Sequence, residues 1–312
     1  MQTIVILLAL AIAASAGSAR PQEPKAAAKG QILKLDVVAV DRDGRPIADL
    51  KPADVEIWLE GYRLPLQSLT ALTENDERRR RSVVLVLDDV TITPQQVLHI
   101  RRAATQAVEA LRPGDRAFIA LLSDAGLLTT SDPAAMRQAI DRFNVRPTTL
   151  IRSEDLSLQV FATLTNIARQ LAEDPGHRKT VISIGPGWVF DTPIPPPSES
   201  RNLREEWTTA LRAMALANVV LYVVDPGGVG ASRSTSGTAG VARDTGGHAF
   251  LNTNDVRGTI DRIMNEASAF YIAEFEDPPF FRNLPLRQMD LKTKRSDVTL
   301  RGRRLIAGTV TK

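Results

Sequence analysis

The sequence predicts an α/β fold: a doubly wound, mainly parallel sheet with helices on both faces, plus a small all-β domain from the N- and C-terminal segments. Between residues 82 and 270, apolar strand-like runs alternate with amphipathic helical segments. This spacing is typical of right-handed crossovers in a parallel sheet. Residues 31–75 and 271–312 show only strand patterns. Because neither flank has enough strands to bury an apolar face alone, we expect the two to pack together.

Composition narrows the functional classes. Of the 312 residues, 43% are hydrophobic and 24% are charged, which indicates a folded chain with a sizeable core. The 39 basic and 36 acidic residues leave a net charge of +3, too small and too dispersed for nucleic-acid binding. The chain contains no cysteine, which excludes disulfides, thiolate metal sites, cysteine nucleophiles and a lipid-modified cysteine.

The N-terminal residues predict export. Residues 4–14 form an unbroken apolar run, which is shorter than the roughly 20 residues that a transmembrane helix needs. The small residues 17–19 follow it and suit signal peptidase, so we expect cleavage after Ala19. Residues 1–19 are therefore predicted to be a signal peptide, residues 20–30 a flexible lead, and the mature protein periplasmic or secreted. The alternative is an uncleaved membrane anchor.

The N-terminal β segment predicts two strand pairs. LKLDVVAVDRDGRPIADL alternates apolar and other residues around Asp43 and Gly44, which indicates a hairpin. VEIWLEG and LPLQSLTAL form the second pair around Gly61. The charged run ENDERRRRS, which includes residues 78–81, reads as a solvated linker, and the alternative is contact with an anionic partner.

The central region opens with SVVLVLD, an apolar β-branched run that predicts a strand buried on both faces. Pro94 is suited to the first helical position, and the helix is expected to continue to about Leu111. AFIALLS and GLLTT predict a hairpin around residues 124–126. The same reasoning predicts four more helices, over about 132–143 and 154–173 and at REEWTTALRAMALA and DVRGTIDRIMNEASAF. It predicts three more strands in this region, at TVISIG, NVVLYVVD and HAFL. The C-terminal strands are expected at YIAEFED, LRQMDLKTKR and DVTLRGR.

The order of these elements resembles the von Willebrand factor A (VWA) family. VVLVLD with its helix, GDRAFIALLSDAGLLTTSDPAAMRQAIDRF, NVVLYVVD and ARDTGGHAF match successive parts of that domain. The flanks VVAVDRDGRPIADLKPADVEIWLEG and YIAEFED…DLKTKRSDVTLRGRR are similar to the ends of exported VWA-related bacterial proteins common in Acidobacteria. The resemblance implies a module that binds a protein partner at the carboxyl ends of its parallel strands.

The resemblance also implies a metal-ion-dependent adhesion site that binds Mg²⁺. That site uses Asp-x-Ser-x-Ser after the first strand, a threonine from a second loop and an aspartate from a third. Hard cations prefer such oxygen ligands, and a partner's carboxylate can complete the shell. If Asp88 takes the first position here, Val90 and Ile92 occupy the hydroxyl positions and offer no ligand atoms.

A shift of one residue gives a better match. Asp89, Thr91 and Thr93 then supply a carboxylate and two hydroxyls, with one extra residue in the turn. The second loop, VRPTTLIRSED, offers Thr148 or Thr149.

The third loop departs from the family pattern. Residues 185–187, Gly-Pro-Gly, stand where the family has its aspartate, and Asp191 lies too far along the loop to replace it. We therefore expect a degenerate site that binds Mg²⁺ weakly at most. The alternative interpretation is that the two aspartates cap the start of the helix and the two threonines hydrogen-bond the turn.

Two further residues are candidate partner contacts. Trp188 and Pro186 lie in the loop after a central strand, and aromatic residues are enriched at interface centres. The alternative for Trp188 is packing beneath that loop. The histidines His99, His177 and His248 are scattered, and no catalytic motif is recognisable. We therefore expect a non-enzymatic module that binds a protein in the envelope or outside the cell, the alternatives being a structural component of an envelope assembly or an α/β enzyme.

Overall fold

Thirteen strands and six α-helices form the part of the chain that this computed structural model describes, namely residues 31–72, 81–129, 132–146, 153–174, 178–188, 201–227 and 236–308. The strands are β1 (Ile32–Val40), β2 (Val55–Leu59), β3 (Tyr62–Leu64), β4 (Leu66–Ala71), β5 (Arg81–Leu87), β6 (Arg116–Leu121), β7 (Arg178–Ile184), β8 (Val219–Val224), β9 (Ala249–Phe250), β10 (Tyr271–Glu276), β11 (Leu286–Thr293), β12 (Thr299–Gly302) and β13 (Leu305–Ala307). The helices are α1 (Val97–Glu109), α2 (Pro133–Arg142), α3 (Ser153–Ala172), α4 (Arg201–Leu216), α5 (Ser236–Asp244) and α6 (Val256–Glu266).

A five-stranded parallel sheet in the order β6-β5-β7-β8-β9 forms the centre of the fold. Every residue of β5, β7 and β8 is buried, as expected for strands covered on both faces. Successive side chains point to opposite faces, so Leu85 packs with α1, α2 and α6, while Val84 packs with α3, α4 and α5. The predicted fold class, a doubly wound α/β sheet with additional β structure, is confirmed.

Two four-stranded antiparallel sheets, β12-β1-β10-β4 and β13-β11-β2-β3, contain strands from both ends of the described chain. β1 pairs with β10 and β12, and β2 pairs with β11. Their shared apolar core includes Val37, Ile57, Phe275 and Met289, all at most 1% exposed. These sheets and the parallel sheet belong to one compact unit. None of the helices among the described residues is both long and apolar enough to cross a membrane.

The two hairpins predicted around residues 43–44 and 124–126 are reduced to turns. After β1, the returning chain makes a single bridge between Val40 and Pro46. After β6, residues 125–129 form no strand, and only Thr129 bonds back to Ile119. Side-chain amides of α3 explain the second difference, because they satisfy the carbonyls of this segment in place of a strand partner.

The charged run was predicted to be a solvated linker, but its last arginine is buried in a strand. Arg81 begins β5 and is 1% exposed, because its guanidinium is bonded to Asp115, Met264 and Ser268. The rest of the run, the predicted signal peptide and the flexible lead lie outside the described residues.

Candidate functional site

The carboxyl ends of four parallel strands meet at one edge of the central sheet, which we call the carboxyl edge. Asp88 and Asp89 follow β5, Ser123 lies just beyond β6, Gly185 follows β7 and Asp225 follows β8. Main-chain bonds hold the loops side by side: Asp88 N donates to the last residue of β7 (3.1 Å), and Gly185 N donates to the last residue of β8 (3.0 Å). This is the edge where open α/β sheets usually bind ligands.

Asp88 closes the turn that follows its own strand. It is 1% exposed, and its Oδ1 accepts hydrogen bonds from Val90 N (3.0 Å) and Thr91 N (2.8 Å). Its Oδ2 accepts a hydrogen bond from the Thr91 hydroxyl (2.5 Å). Burial raises the pKa of Asp88, and the hydrogen bonds from Thr91 oppose that rise. Both carboxylate oxygens therefore bond the turn after β5 and not the start of the helix, so the alternative interpretation holds for the hydroxyl of Thr91 but not for Asp88 as a helix cap.

Asp89 joins the ends of two strands. It is 1% exposed, and it accepts hydrogen bonds from Ser123 N at Oδ1 (3.0 Å) and from the Ser123 hydroxyl at Oδ2 (2.5 Å). Arg146 adds an ion pair, with Nε 3.7 Å from Oδ2. The sequence interpretation missed Ser123, although its position directly after a predicted strand was a signal. Asp89 thus binds a neighbouring loop and does not cap the helix start, so that part of the alternative interpretation was wrong.

The two candidate threonines bond to different partners. The Thr91 hydroxyl donates to Asp88, whereas Thr93 lies at the start of the 3₁₀ turn over residues 94–96. Gln96 Oε1 accepts hydrogen bonds from Thr93 N (2.9 Å) and from its hydroxyl (3.3 Å). Thr149 and its neighbour Thr148 lie outside the described residues.

The described part of the carboxyl edge does not fit the Mg²⁺ ligand set that the resemblance implies. The oxygens of Asp88 and Asp89 already accept N–H and O–H donors of the protein. Asp225, which is 2% exposed, likewise accepts a hydrogen bond from Gly227 N (2.9 Å). No group of three or more histidine, aspartate or glutamate side chains suited to a metal occurs among the described residues. A cation would have to share these oxygens with protein donors and, at Asp89, compete with the Arg146 guanidinium.

The glycine at the third loop position has a packing reason. A Cβ at Gly185 would lie 2.6 Å from Asp88 Cβ and 3.1 Å from Asp88 Oδ2. Real Cβ atoms do not approach so closely, so no side chain fits there unless Asp88 moves. Glycine at position 185 therefore goes together with the inward position of Asp88.

Trp188 is a core residue, so the prediction that it offers a partner contact was wrong and the alternative of packing is correct. It is 2% exposed and belongs to the apolar cluster between the sheet and helices α3, α4 and α5. The Thr238 hydroxyl accepts a hydrogen bond from Trp188 N and donates one to its carbonyl, each at 2.7 Å. Pro186 is buried as well, which removes it as a surface contact.

An exposed aromatic patch lies elsewhere, on the antiparallel sheets, and consists of Tyr62, Phe280 and Phe281. Leu284, three residues after Phe281 in the chain, is also exposed. The ring centroids are 6.0 Å apart for Tyr62 and Phe280, 5.4 Å for Tyr62 and Phe281, and 4.5 Å for the two phenylalanines. Tyr62 is 60% exposed, Phe280 68% and Leu284 41%. The sequence interpretation missed this patch, although the run DPPFFRN was a local signal for it.

Comparisons with known proteins assign no family. No family model matches the chain, and no curated protein matches it. Solved structures with a similar fold include the manganese-loaded TRAP protein of Plasmodium vivax, with a TM-score of 0.41 and 10% identity over 76% of this chain and 96% of that one. The human COPII-coat protein Sec24c has a TM-score of 0.38 and 8% identity, over 76% of this chain and 44% of that one.

The pilus adhesin SpaC from Lactobacillus rhamnosus GG, in an open conformation, has a TM-score of 0.38 and 9% identity, over 87% of this chain and 48% of that one. This chain therefore spans less than half the length of SpaC and of Sec24c. At these scores and identities, none of the three assigns a function or a site to this chain.

Proposed function

We propose that this protein is a VWA-like module that binds another protein, in an interaction of the adhesion type, and that it is not an enzyme. The aromatic patch is the observation that carries the proposal. Exposed apolar side chains that lie together on the surface of a soluble protein are candidate interaction sites. Tyrosine and phenylalanine bury a large area at a small cost in side-chain entropy, which favours them at interface centres.

The patch is held in place before any partner arrives. Phe281 packs partly against the core of the antiparallel sheets, and Tyr62 lies on β3, opposite Leu59 of β2. The 3₁₀ turn that carries the phenylalanines is fixed by Arg282, whose Nη2 donates to the Asp277 carbonyl (2.7 Å). The Asp277 carboxylate is itself buried in an ion pair with Arg287. A preformed surface loses less conformational entropy on binding, which favours affinity.

The carboxyl edge has a structural role in this proposal. Asp88 and Asp89 hold the loops after β5 and β6, so the degenerate adhesion site is not the contact surface. Partner binding by the aromatic patch is therefore expected to be independent of divalent cations. Removal of Mg²⁺ with a chelator should leave the interaction unchanged.

The experiment compares a patch variant with a matched surface control. Tyr62→Ser/Phe280→Ser removes the two most exposed rings of the patch, and Leu98→Ser removes an isolated side chain of α1 that is 61% exposed. We expect the patch variant to reduce capture of the partner from an envelope extract by at least about tenfold, as for the loss of central interface residues. Leu98→Ser should bind normally, and both variants should melt as the wild type does.

Equal loss of capture in both variants, or full capture by the patch variant, contradicts the proposal. If a chelator abolishes binding, the partner contacts a cation site and not the aromatic patch. The second candidate, a structural component of an envelope assembly, predicts self-association through the same patch. Sedimentation of the purified wild type would then show concentration-dependent oligomers that Tyr62→Ser/Phe280→Ser abolishes.

We also propose that the protein is exported, on the basis of its N-terminal sequence. The apolar run at residues 4–14 and the small residues 17–19 support cleavage after Ala19. N-terminal sequencing of protein recovered from the envelope or medium should then begin at Arg20. Recovery of a chain that begins at Met1 contradicts cleavage and favours the membrane anchor.

A further inference from the structure

A cleft of about 570 Å³ lies at the opposite edge of the parallel sheet, where β7 begins. Its walls come from the antiparallel sheets and from the end of α4. Most of the lining is apolar, with Leu35, Phe270, Ile272 and Ile306 among the side chains that face it. This size and character are typical of a site for a small organic ligand.

One end of the cleft carries a buried arginine with unused donors. Arg178 lines the cleft and is 3% exposed, and its Nε and Nη1 make no hydrogen bond within the described structure. Asp36 is its nearest carboxylate, with Oδ2 3.6 Å from Nη1, an ion pair that is too long for a hydrogen bond. The guanidinium lies over the ring of Phe270, 4.9 Å from its centroid. The side chain of Tyr222 also interacts with this guanidinium, which leaves Nε and Nη1 as the donors without a hydrogen-bond partner in the described structure. An unpaired donor on a buried cation is costly unless an anion joins it.

Two more cations line the same cleft. Arg303 is 7% exposed, and its Nη2 donates to the Val219 carbonyl (2.8 Å). Burial and the neighbouring Arg178 lower the pKa of Arg303, Asp36 opposes them, and the pKa lies at about 10 as a result. Lys179 is 6% exposed, and burial lowers its pKa as well. Asp36 also accepts a hydrogen bond from Asn218, so positive charge predominates at this end of the cleft.

Arg81 is a buried arginine with a purely structural role and can be compared with Arg178. It is the register partner of Arg178 on the adjacent strand and is equally buried. Its Nε and Nη2 donate to Asp115, and its Nη1 donates to the Met264 carbonyl (2.5 Å) and the Ser268 hydroxyl (2.6 Å). Two buried arginines thus lie side by side, one with every nitrogen bonded and the other, which lines the cleft, with two nitrogens that make no hydrogen bond within the described structure.

We propose that this cleft binds a small amphipathic carboxylate. The anionic group pairs with Arg178, and the apolar body lies along Leu35, Ile272 and Ile306. Charge-assisted hydrogen bonds to arginine are among the strongest in proteins, and apolar walls add affinity in proportion to the area they cover. The site is separate from the aromatic patch, so the two proposals can fail independently.

Calorimetry with decanoate on the purified full-length protein tests the proposal, with decanol and acetate as the neutral and short-chain probes. We expect decanoate to bind with a dissociation constant below about 1 mM, and both other probes to bind at least about tenfold more weakly. Arg178→Met removes the cation, and Ala215→Phe fills the cleft from α4 while keeping every charge. Each should weaken decanoate binding by at least about tenfold.

Arg63→Gln is the matched control, because Arg63 lies on β3 outside the cleft and pairs with Glu56 at the surface. It should change decanoate binding by less than about twofold. The proposal is overturned if the wild type does not bind decanoate, if decanol or acetate binds equally well, or if Arg63→Gln loses as much affinity as Arg178→Met. If Arg178→Met does not fold, Ala215→Phe decides, and undiminished binding by that variant also overturns the proposal.

Discussion

The two edges of the parallel sheet treat buried charge in opposite ways. At the carboxyl edge, Asp88 and Asp89 are each 1% exposed, and all four of their carboxylate oxygens accept hydrogen bonds from the protein. At the amino edge, Arg178 is 3% exposed and has two nitrogens without hydrogen bonds. The sequence singled out Asp88 and Asp89, but the side chain with unused hydrogen-bond donors is that of Arg178. A buried charge that the protein leaves unsatisfied needs an explanation, and for Arg178 we propose a bound anion.

The largest expected effect concerns the carboxyl edge. Gly185→Asp should lower the free energy of unfolding by about 2–4 kcal/mol, because its Cβ would lie 2.6 Å from Asp88 Cβ and a second carboxylate would enter a buried place. It should also fail to create a Mg²⁺ site. Denaturant unfolding and Mg²⁺ calorimetry measure the two outcomes.

Gly240→Asp in α5 is the control, since no atom lies within 4 Å of a Cβ at that position. Its effect should stay within about 0.5 kcal/mol. Tight Mg²⁺ binding by Gly185→Asp at wild-type stability would show that Asp88 moves aside easily, and the view of a saturated edge would then be wrong.

Loss of one donor at the same edge should have a smaller effect. Ser123→Ala leaves Asp89 Oδ2 without its hydroxyl partner and should cost about 1–2 kcal/mol of unfolding free energy. Ser68→Ala is matched, because the Ser68 hydroxyl also donates to a carboxylate, that of Glu274, which is 33% exposed and paired with Lys34. That change should cost less than about 0.5 kcal/mol. Equal costs in chemical denaturation contradict the distinction between the buried and the exposed carboxylate.

The pH dependence of stability tests the burial of Asp88. Burial raises its pKa in the folded state above the ordinary value of 3.8, so the stability it contributes is fully present below pH 3.8. That contribution is lost as the pH rises through the folded-state pKa. The stability of the wild type relative to Asp88→Asn should therefore fall when unfolding is measured from pH 3 upwards.

Asp297 provides the opposite sign. Its hydrogen bonds with Arg295 lower its pKa below 3.8, so its contribution is present above that pH and is lost on acidification. The stability of the wild type relative to Asp297→Asn should therefore rise with pH. If the stability of the wild type relative to Asp88→Asn instead rises with pH, as it does relative to Asp297→Asn, then Asp88 is solvated in solution.

Local patterns predicted the fold, whereas contacts between distant segments decided the sites. The apolar runs of β5 and β8 predicted buried strands, because burial on both faces is visible within a single strand. Their alternation with helical segments predicted the parallel sheet. Trp188 is buried by Thr238 and its surroundings, fifty residues away, and Gly185 is required by Asp88. In the sequence, Arg81 belongs to a charged run. It is a core residue because its guanidinium bonds to Asp115 and Met264, which are distant in the chain.

The smallest expected effect belongs to the amino edge. Arg178→Met should change the free energy of unfolding by less than about 1 kcal/mol, since an apolar side chain of similar length replaces a buried cation with few hydrogen bonds. Asp36 keeps Asn218 and the nearby Arg303, and the methionine sulfur can pack on Phe270.

Arg81→Met is the matched control for Arg178→Met. It should cost about 3–5 kcal/mol, because it leaves the buried carboxylate of Asp115 without its ion-pair partner. The two arginines are register partners on β5 and β7, so strand position and burial are the same and the hydrogen-bond partners differ. Chemical denaturation of both variants measures that difference. A loss for Arg178→Met as large as that for Arg81→Met would mean that the donors of Arg178 are satisfied in the free protein, and the cleft would then lose its reason to attract an anion.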